Sequence, residues 1–238
     1  MGTPELLVRV LGPVEVRAPG GSPCSPAPAV RAVLARLAMD PGRVVSADAL
    51  TDALWGEELP ADAANALQLR VSKLRRALAR AGFGADLIVT RAPGYLLDLP
   101  AEAVDAHRFE RAVAGADLAG LERALRLWRG PALADVGDTE WSRVERTRLE
   151  QLRLAAEADR LDLLIEAGRH AEAVGDLERL VAEHPLRERL HRLLMLALYR
   201  SGRQADALAV EQRLRRRLAD DLGIDPSPEL RELTSAIL

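Results

Sequence analysis

Apolar and polar positions change rhythm several times along this chain, and each change predicts an element. LLVRVLG (from Leu6) and VEVRA (from Val14) alternate apolar with other residues and meet at Gly12-Pro13, which predicts a pair of strands. A connector rich in Pro, Gly and Ser follows, APGGSPCSPAP. In AVRAVLARLAMD the apolar residues Val30, Val33, Leu34 and Leu37 fall on one stripe of a helix, which Pro41-Gly42 stops. ADALTDALW is a shorter helix with Leu50 and Leu54 one turn apart, Ser46 placed to cap it and Gly56 placed to end it. The loop GEELPA leads to Asp62, a candidate cap for the long segment ANALQLRVSKLRRALAR. There Leu67, Val71, Leu74 and Leu78 recur at helical spacing. DLIVTRAPGYLLDL sets two apolar runs around Ala92-Pro93-Gly94, a hairpin with a tight turn.

From about residue 101 the rhythm is that of long helices broken by Gly or Pro. Within it Gly168-Arg169-His170-Ala171-Glu172-Ala173 recurs as Gly202-Arg203-Gln204-Ala205-Asp206-Ala207, 34 residues later. That is the period of tetratricopeptide repeats, whose helix pairs stack because no pair buries its apolar face alone. The expected fold is therefore mixed. Residues 1–100 form an α+β winged helix-turn-helix, and residues 101–238 an all-α, tetratricopeptide-like domain.

Composition narrows the class. The apolar fraction of 48% is enough for a core, and with aromatics at 3% that core must come from Leu, Ala and Val. Cys24 is the one cysteine, so neither an internal disulfide nor a thiolate metal cluster can form. The first residues lack a positive-then-apolar leader, and Leu6 stands where a myristoylated Gly2 would need Ser or Thr. No apolar run has the length of a bilayer span. A cytoplasmic protein without membrane partners is expected.

Charge changes the picture most. The chain carries 33 Lys and Arg against 36 Asp and Glu, yet residues 65–91 hold six basic side chains and one acid, Asp86. On the long third helix the apolar stripe leaves Asn65, Leu69, Ser72, Lys73, Arg76 and Arg80 on the opposite face. Gln68 borders that face, and Arg70 and Arg75 flank the stripe. Asn and Gln pair with adenine, Lys and Arg with guanine, and Leu touches a thymine methyl, so this face suits a DNA major groove. The flanking arginines suit backbone phosphates. Six neutralised phosphates would give a slope of log K on log salt near −5, at roughly −0.9 per phosphate. The competing reading is a solvated amphipathic helix, although solvated faces normally mix signs. In a winged helix the hairpin lies over the adjacent minor groove, where Arg91 can meet concentrated negative potential.

The stretches VSADALTDALWG, VSKLRRAL and VTRAPGYLLD resemble the OmpR-type DNA-binding domain of Streptomyces antibiotic regulatory proteins. FERAV, LWRGPALAD, HPLRERLHRLLMLALYRSGRQADAL and DLGIDPSPEL resemble their bacterial transcriptional activator domain, so the likeness runs almost end to end. The resemblance implies a pathway-specific activator of secondary-metabolite genes. Side-by-side copies would bind direct repeats near the promoter −35 region and recruit RNA polymerase holoenzyme. By position, the groove helix maps onto Asp62 to Arg80 and the wing onto Leu87 to Leu97. The loop that faces sigma factor maps onto Gly56 to Ala61, with Glu57 and Glu58 as candidate contacts. One departure is visible: relatives commonly carry Tyr where this chain has Glu211, which implies altered packing or an exposed edge.

Enzyme readings find little support. His107, His170, His184 and His191 lack metal-ligand spacing, and Asp105-x-His107 reads as a helix start rather than half of a catalytic pair. There is no nucleophile elbow or glycine phosphate loop, and Lys73, the lone lysine, follows Ser72 outside any Walker motif. No cofactor is expected. Only five residues precede the first expected strand, too few for a phosphoacceptor domain ahead of it. The alternatives are a helical-repeat interaction scaffold without DNA binding and a ligand-sensing regulator that uses the repeats as a pocket.

Overall fold

The computed structural model describes residues 5, 7–18 and 20–238, so Gly2 and Leu6 lie outside the described residues. The chain forms two compact units. The first comprises Met1–Ala116 with Glu122–Leu154, the second Asp117–Leu121 with Ala155–Leu238. The change of rhythm near residue 101 thus falls inside the first unit.

In the first unit the alternating segments form a short antiparallel pair, β1 (Val8–Arg9) and β2 (Glu15–Val16), in the register Val8 to Val16. Three helices follow: α1 (Pro28–Ala38), α2 (Ala47–Trp55) and α3 (Ala63–Arg80). Pro28 opens α1, where its missing N–H costs nothing. The Ser46 hydroxyl accepts from the Ala49 N–H at 3.1 Å, and the Asp62 carboxylate from the Asn65 N–H at 3.0 Å, so both anticipated caps are formed. Gly56, at φ 54°, ends α2 in a conformation that disfavours a side chain.

The three stripes meet in one core. Val30, Val33, Leu34 and Leu37 of α1 are buried with Leu50 of α2 and with Leu67, Val71, Leu74 and Leu78 of α3. Each such side chain contributes roughly 1.5–3 kcal/mol by leaving water, and this is what holds α3 with its opposite face outward. The hairpin strands β4 (Ile88–Arg91) and β5 (Gly94–Leu97) are joined through Ala92-Pro93, a cis peptide bond. A two-residue strand, β3 (Val45–Ser46), completes a sheet of order β3-β5-β4, leaving β4 at an edge. Ser46 opposes Gly94, and a Cβ on Gly94 would lie 1.9 Å from the Val45 carbonyl oxygen. Only glycine fits that crossing.

The unit continues past residue 100 because later residues satisfy earlier backbone groups. Asp105 opens α4 (Asp105–Val113) with no solvent exposure and accepts the N–H groups of Val10 at 2.7 Å and Leu11 at 3.1 Å. Asp135 accepts the Val14 N–H at 2.8 Å and pairs with Arg31 at 3.0 Å. Phe109 meets Trp128 edge to face, with ring centres 5.5 Å apart.

The remaining helices are α5 (Leu118–Leu125), α6 (Glu140–Glu166), α7 (His170–Glu183), α8 (Glu188–Arg200), α9 (Gln204–Leu222) and α10 (Pro228–Ile237). In the second unit α7 packs on α8, α8 on α9, and α10 on both α8 and α9. The 34-residue repeat is visible atom for atom at its corners. Gly168 and Gly202 have φ of 78° and 77°. The next residues, Arg169 and Arg203, donate backbone N–H groups to Leu164 and Leu198 at 2.9 Å each. Their side chains pair with Glu172 and Asp206, both at 2.7 Å, and the small residues Ala173 and Ala207 are fully buried. Glu211 is not at an exposed edge. It is 4% exposed and pairs at 2.5 Å with Arg215, whose own side chain is exposed, so a buried carboxylate reaches a solvent-facing partner.

Candidate nucleic-acid interface

The capped, core-anchored helix α3 presents a continuous outer face. Asn65, Gln68, Leu69, Ser72, Lys73, Arg76 and Arg80 are all exposed, Leu69 to 50%. The exposed Leu69 offers an apolar surface of the kind that contacts a base methyl. Lys73, Arg76 and Arg80 have no carboxylate partner among the described residues, and neither does Arg91 at the end of β4. Four cations thus remain available along one helix face and one hairpin.

Arg70 and Arg75 are placed differently from their expected phosphate-facing positions. Both are partly buried and occupied by the protein itself. The Arg70 guanidinium donates to the Ala29 carbonyl at the start of α1 and lies 5.0 Å from the centre of the Trp55 ring, at the end of α2. Arg75 reaches the hairpin. Its Nε and Nη2 donate to the Ile88 carbonyl at 3.0 and 2.8 Å, and Nη2 also donates to Thr90 Oγ1 at 2.7 Å. The guanidinium sits 5.9 Å from the Tyr95 ring. Helical periodicity puts both arginines beside the apolar stripe but carries no information on which partners stand there. The sequence reading therefore missed Trp55, Thr90 and Tyr95 as the groups that hold them.

The loop between α2 and α3 exposes Glu57, Glu58 and Leu59, and the Glu58 N–H donates back to the Trp55 carbonyl at 3.0 Å. The histidines have local roles. His107 Nε2 donates to the Ala38 carbonyl at 3.1 Å, and its hydrogen bond to Glu110 raises its pKa above the ordinary imidazole value. His191 is buried and donates Nε2–H to the Pro185 carbonyl at 3.0 Å; burial first, then the charges of Arg217 and Arg213, hold its pKa down. Asp105 is a helix start, as its spacing suggested. No described helix is long and apolar enough to cross a membrane.

Comparison with known proteins matches both parts. Residues 21–97 match the family described as transcriptional regulatory protein, C terminal, and residues 100–238 match the bacterial transcriptional activator domain. Regulatory protein AfsR of Streptomyces griseus is 44% identical over 240 residues, which is 96% of this chain and 24% of AfsR. Transcriptional regulator RedD of Streptomyces coelicolor is 39% identical, covering 97% of this chain and 70% of RedD. Regulatory protein DnrI of Streptomyces peucetius is 37% identical, covering 97% of this chain and 91% of DnrI. A solved structure of Mycobacterium tuberculosis EmbR, in complex with a low affinity phosphopeptide, superposes with a TM-score of 0.88 at 37% identity. It covers 98% of this chain and 65% of that one. The chain thus spans about a quarter of the length of AfsR.

Fold and matches together define a chain built from an OmpR-type winged helix and a bacterial transcriptional activator domain. The chain belongs to the Streptomyces antibiotic regulatory protein family.

Proposed function

We propose that this protein is a sequence-specific activator of a secondary-metabolite gene cluster. It lays α3 in the major groove of direct repeats near the −35 region, with Asn65, Gln68, Leu69, Ser72, Lys73, Arg76 and Arg80 toward the DNA. The hairpin carries Arg91 to the adjacent minor groove. Side-by-side copies on the repeats recruit RNA polymerase holoenzyme, with Glu57 and Glu58 turned to sigma factor. Such a protein works in the cytoplasm at the nucleoid. The observation that supports this reading best is the outer face of α3, where exposed cations have no carboxylate partner among the described residues and the opposite side is locked in the core.

The test is fluorescence anisotropy on promoter duplexes across a salt series. With Arg70 and Arg75 occupied internally, about four cations remain, three on this face and Arg91 on the hairpin. The expected slope of log K on log salt is about −3.6 rather than −5. Lys73→Ala and Arg76→Ala should each weaken binding by about 1–3 kcal/mol and relax base preference. Wild-type affinity in both variants would sink the groove assignment.

A further inference from the structure

The hairpin buries Ile88, Leu96 and Leu97 and carries one open edge. β4 is an edge strand of four residues, paired on one side with β5, and β5 reaches the rest of the sheet through the two residues of β3. An edge strand presents backbone groups that need partners from elsewhere. Here Arg75 of α3 supplies them.

Its planar guanidinium directs two N–H groups at the Ile88 carbonyl and one at the Thr90 hydroxyl, two residues further along the same strand. The Tyr95 ring beside it belongs to β5 and stands directly opposite Thr90 in the ladder. One side chain therefore holds both strands of the wing. It leaves the helix one position before Arg76 and two after Lys73, and it grips β4 one residue before Arg91. A fork with fixed donor directions can do this, whereas the point charge of lysine cannot.

We infer that Arg75 is a positioning residue for DNA recognition. It sets the wing at a fixed offset from α3, so that the major-groove face and Arg91 engage DNA as one unit. This rests on the function proposed above. It also separates Arg75 from the phosphate contacts among which its place in the helix would put it. A phosphate contact contributes charge to binding and little else. A brace contributes geometry, and its removal is felt through Arg91.

The experiment is a double-variant cycle on the full chain, using a duplex recovered by in vitro selection with the wild-type protein. Arg91→Ala should weaken binding roughly tenfold in the wild-type background, and less than about twofold when combined with Arg75→Gln, because an unbraced wing no longer presents Arg91. Arg75→Gln alone should lower the salt slope by about 0.9, the share of the Arg91 it no longer presents, and adding Arg91→Ala should lower it no further. Equal fold losses from Arg91→Ala in both backgrounds, or a further slope reduction of about 0.9 when Arg91→Ala is added to Arg75→Gln, would overturn the inference in favour of an ordinary phosphate contact.

Thr90→Val removes one of the two acceptors from an exposed strand position and keeps the β-branched shape. Should Arg75→Gln fail to fold, the Thr90→Val and Arg91→Ala pair decides, with smaller but still non-additive losses expected. Hydrogen exchange on free protein gives a readout that needs no DNA. Backbone amides of β4 and β5 should open faster in Arg75→Gln than in wild type, while those of α1 and α2 keep their rates. If wild-type protein selects no duplex, the proposed function fails on its own, and the exchange rates still decide whether Arg75 holds the wing.

Discussion

Thr139 donates its hydroxyl to the backbone carbonyl of Ala53 across 3.0 Å, tying the start of α6 to the last turn of α2. Thr139 and Ser142 also cap α6, the Thr139 N–H donating to Ser142 Oγ at 3.0 Å. A residue beyond the activator-domain boundary thus completes a helix of the DNA-binding domain. Thr139→Val keeps the shape and removes the donor, and should cost about 1–2 kcal/mol in urea unfolding of the full chain. An unmoved midpoint would mean that the Ala53 carbonyl is equally well satisfied without it.

Asp105 gives a pH dependence of definite sign. Burial raises its pKa from 3.8 to about 6, against the pull of the Val10 and Leu11 N–H groups. A raised carboxyl pKa means stability that is fully present below about 3.8 and lost as pH rises through about 6. The interval corresponds to at most about 3 kcal/mol. Compared with Asp105→Asn, wild-type protein should lose relative stability between pH 4 and pH 7, followed by denaturant melts at several pH values. A stability difference that stays constant over that range contradicts the assignment.

Glu57 and Glu58 are solvent-facing and stand in the loop that α2 and α3 hold between them. Replacing both by Ala should preserve DNA affinity, since neither lies on the α3 face, and should lower transcript yield in a reconstituted reaction. Unchanged output with unchanged affinity removes the loop from activation.

The pair Glu211–Arg215 predicts an asymmetry. The Arg215 guanidinium is exposed and screened by solvent, so Arg215→Ala should destabilise the second unit by only about 1 kcal/mol. Glu211→Leu removes the charge that had to be desolvated and should be neutral or stabilising. Thermal melts of the two variants check this, and equal losses from both would show that the ion pair itself is the stabilising element.

Much of the architecture was legible in local pattern. The stripes of α1 and α3, the caps Ser46 and Asp62, the hairpin at Ala92-Pro93 and the repeated corner at Gly168 and Gly202 all follow from spacing and turn chemistry. These are properties of neighbours along the chain. What escaped depends on residues far apart. The strand β3 has two residues and no alternation to betray it, and its pairing is visible only once β5 lies beside it. Asp105 reaches Val10 across 95 positions. The outer face of α3 was readable because four buried residues define their own opposite side. The flanks were not, because periodicity sets the angle of Arg70 and Arg75 without saying whether solvent, DNA or a tryptophan stands there.

The matched corners at Gly168 and Gly202 make the second unit modular in a strict sense. Each storey is entered through the same bend and locked by the same arginine–acid clasp, so height can change by whole storeys while the joints stay alike. A duplicated 34-residue block spliced in at Gly202 would be entered and left through the same bend and the same clasp.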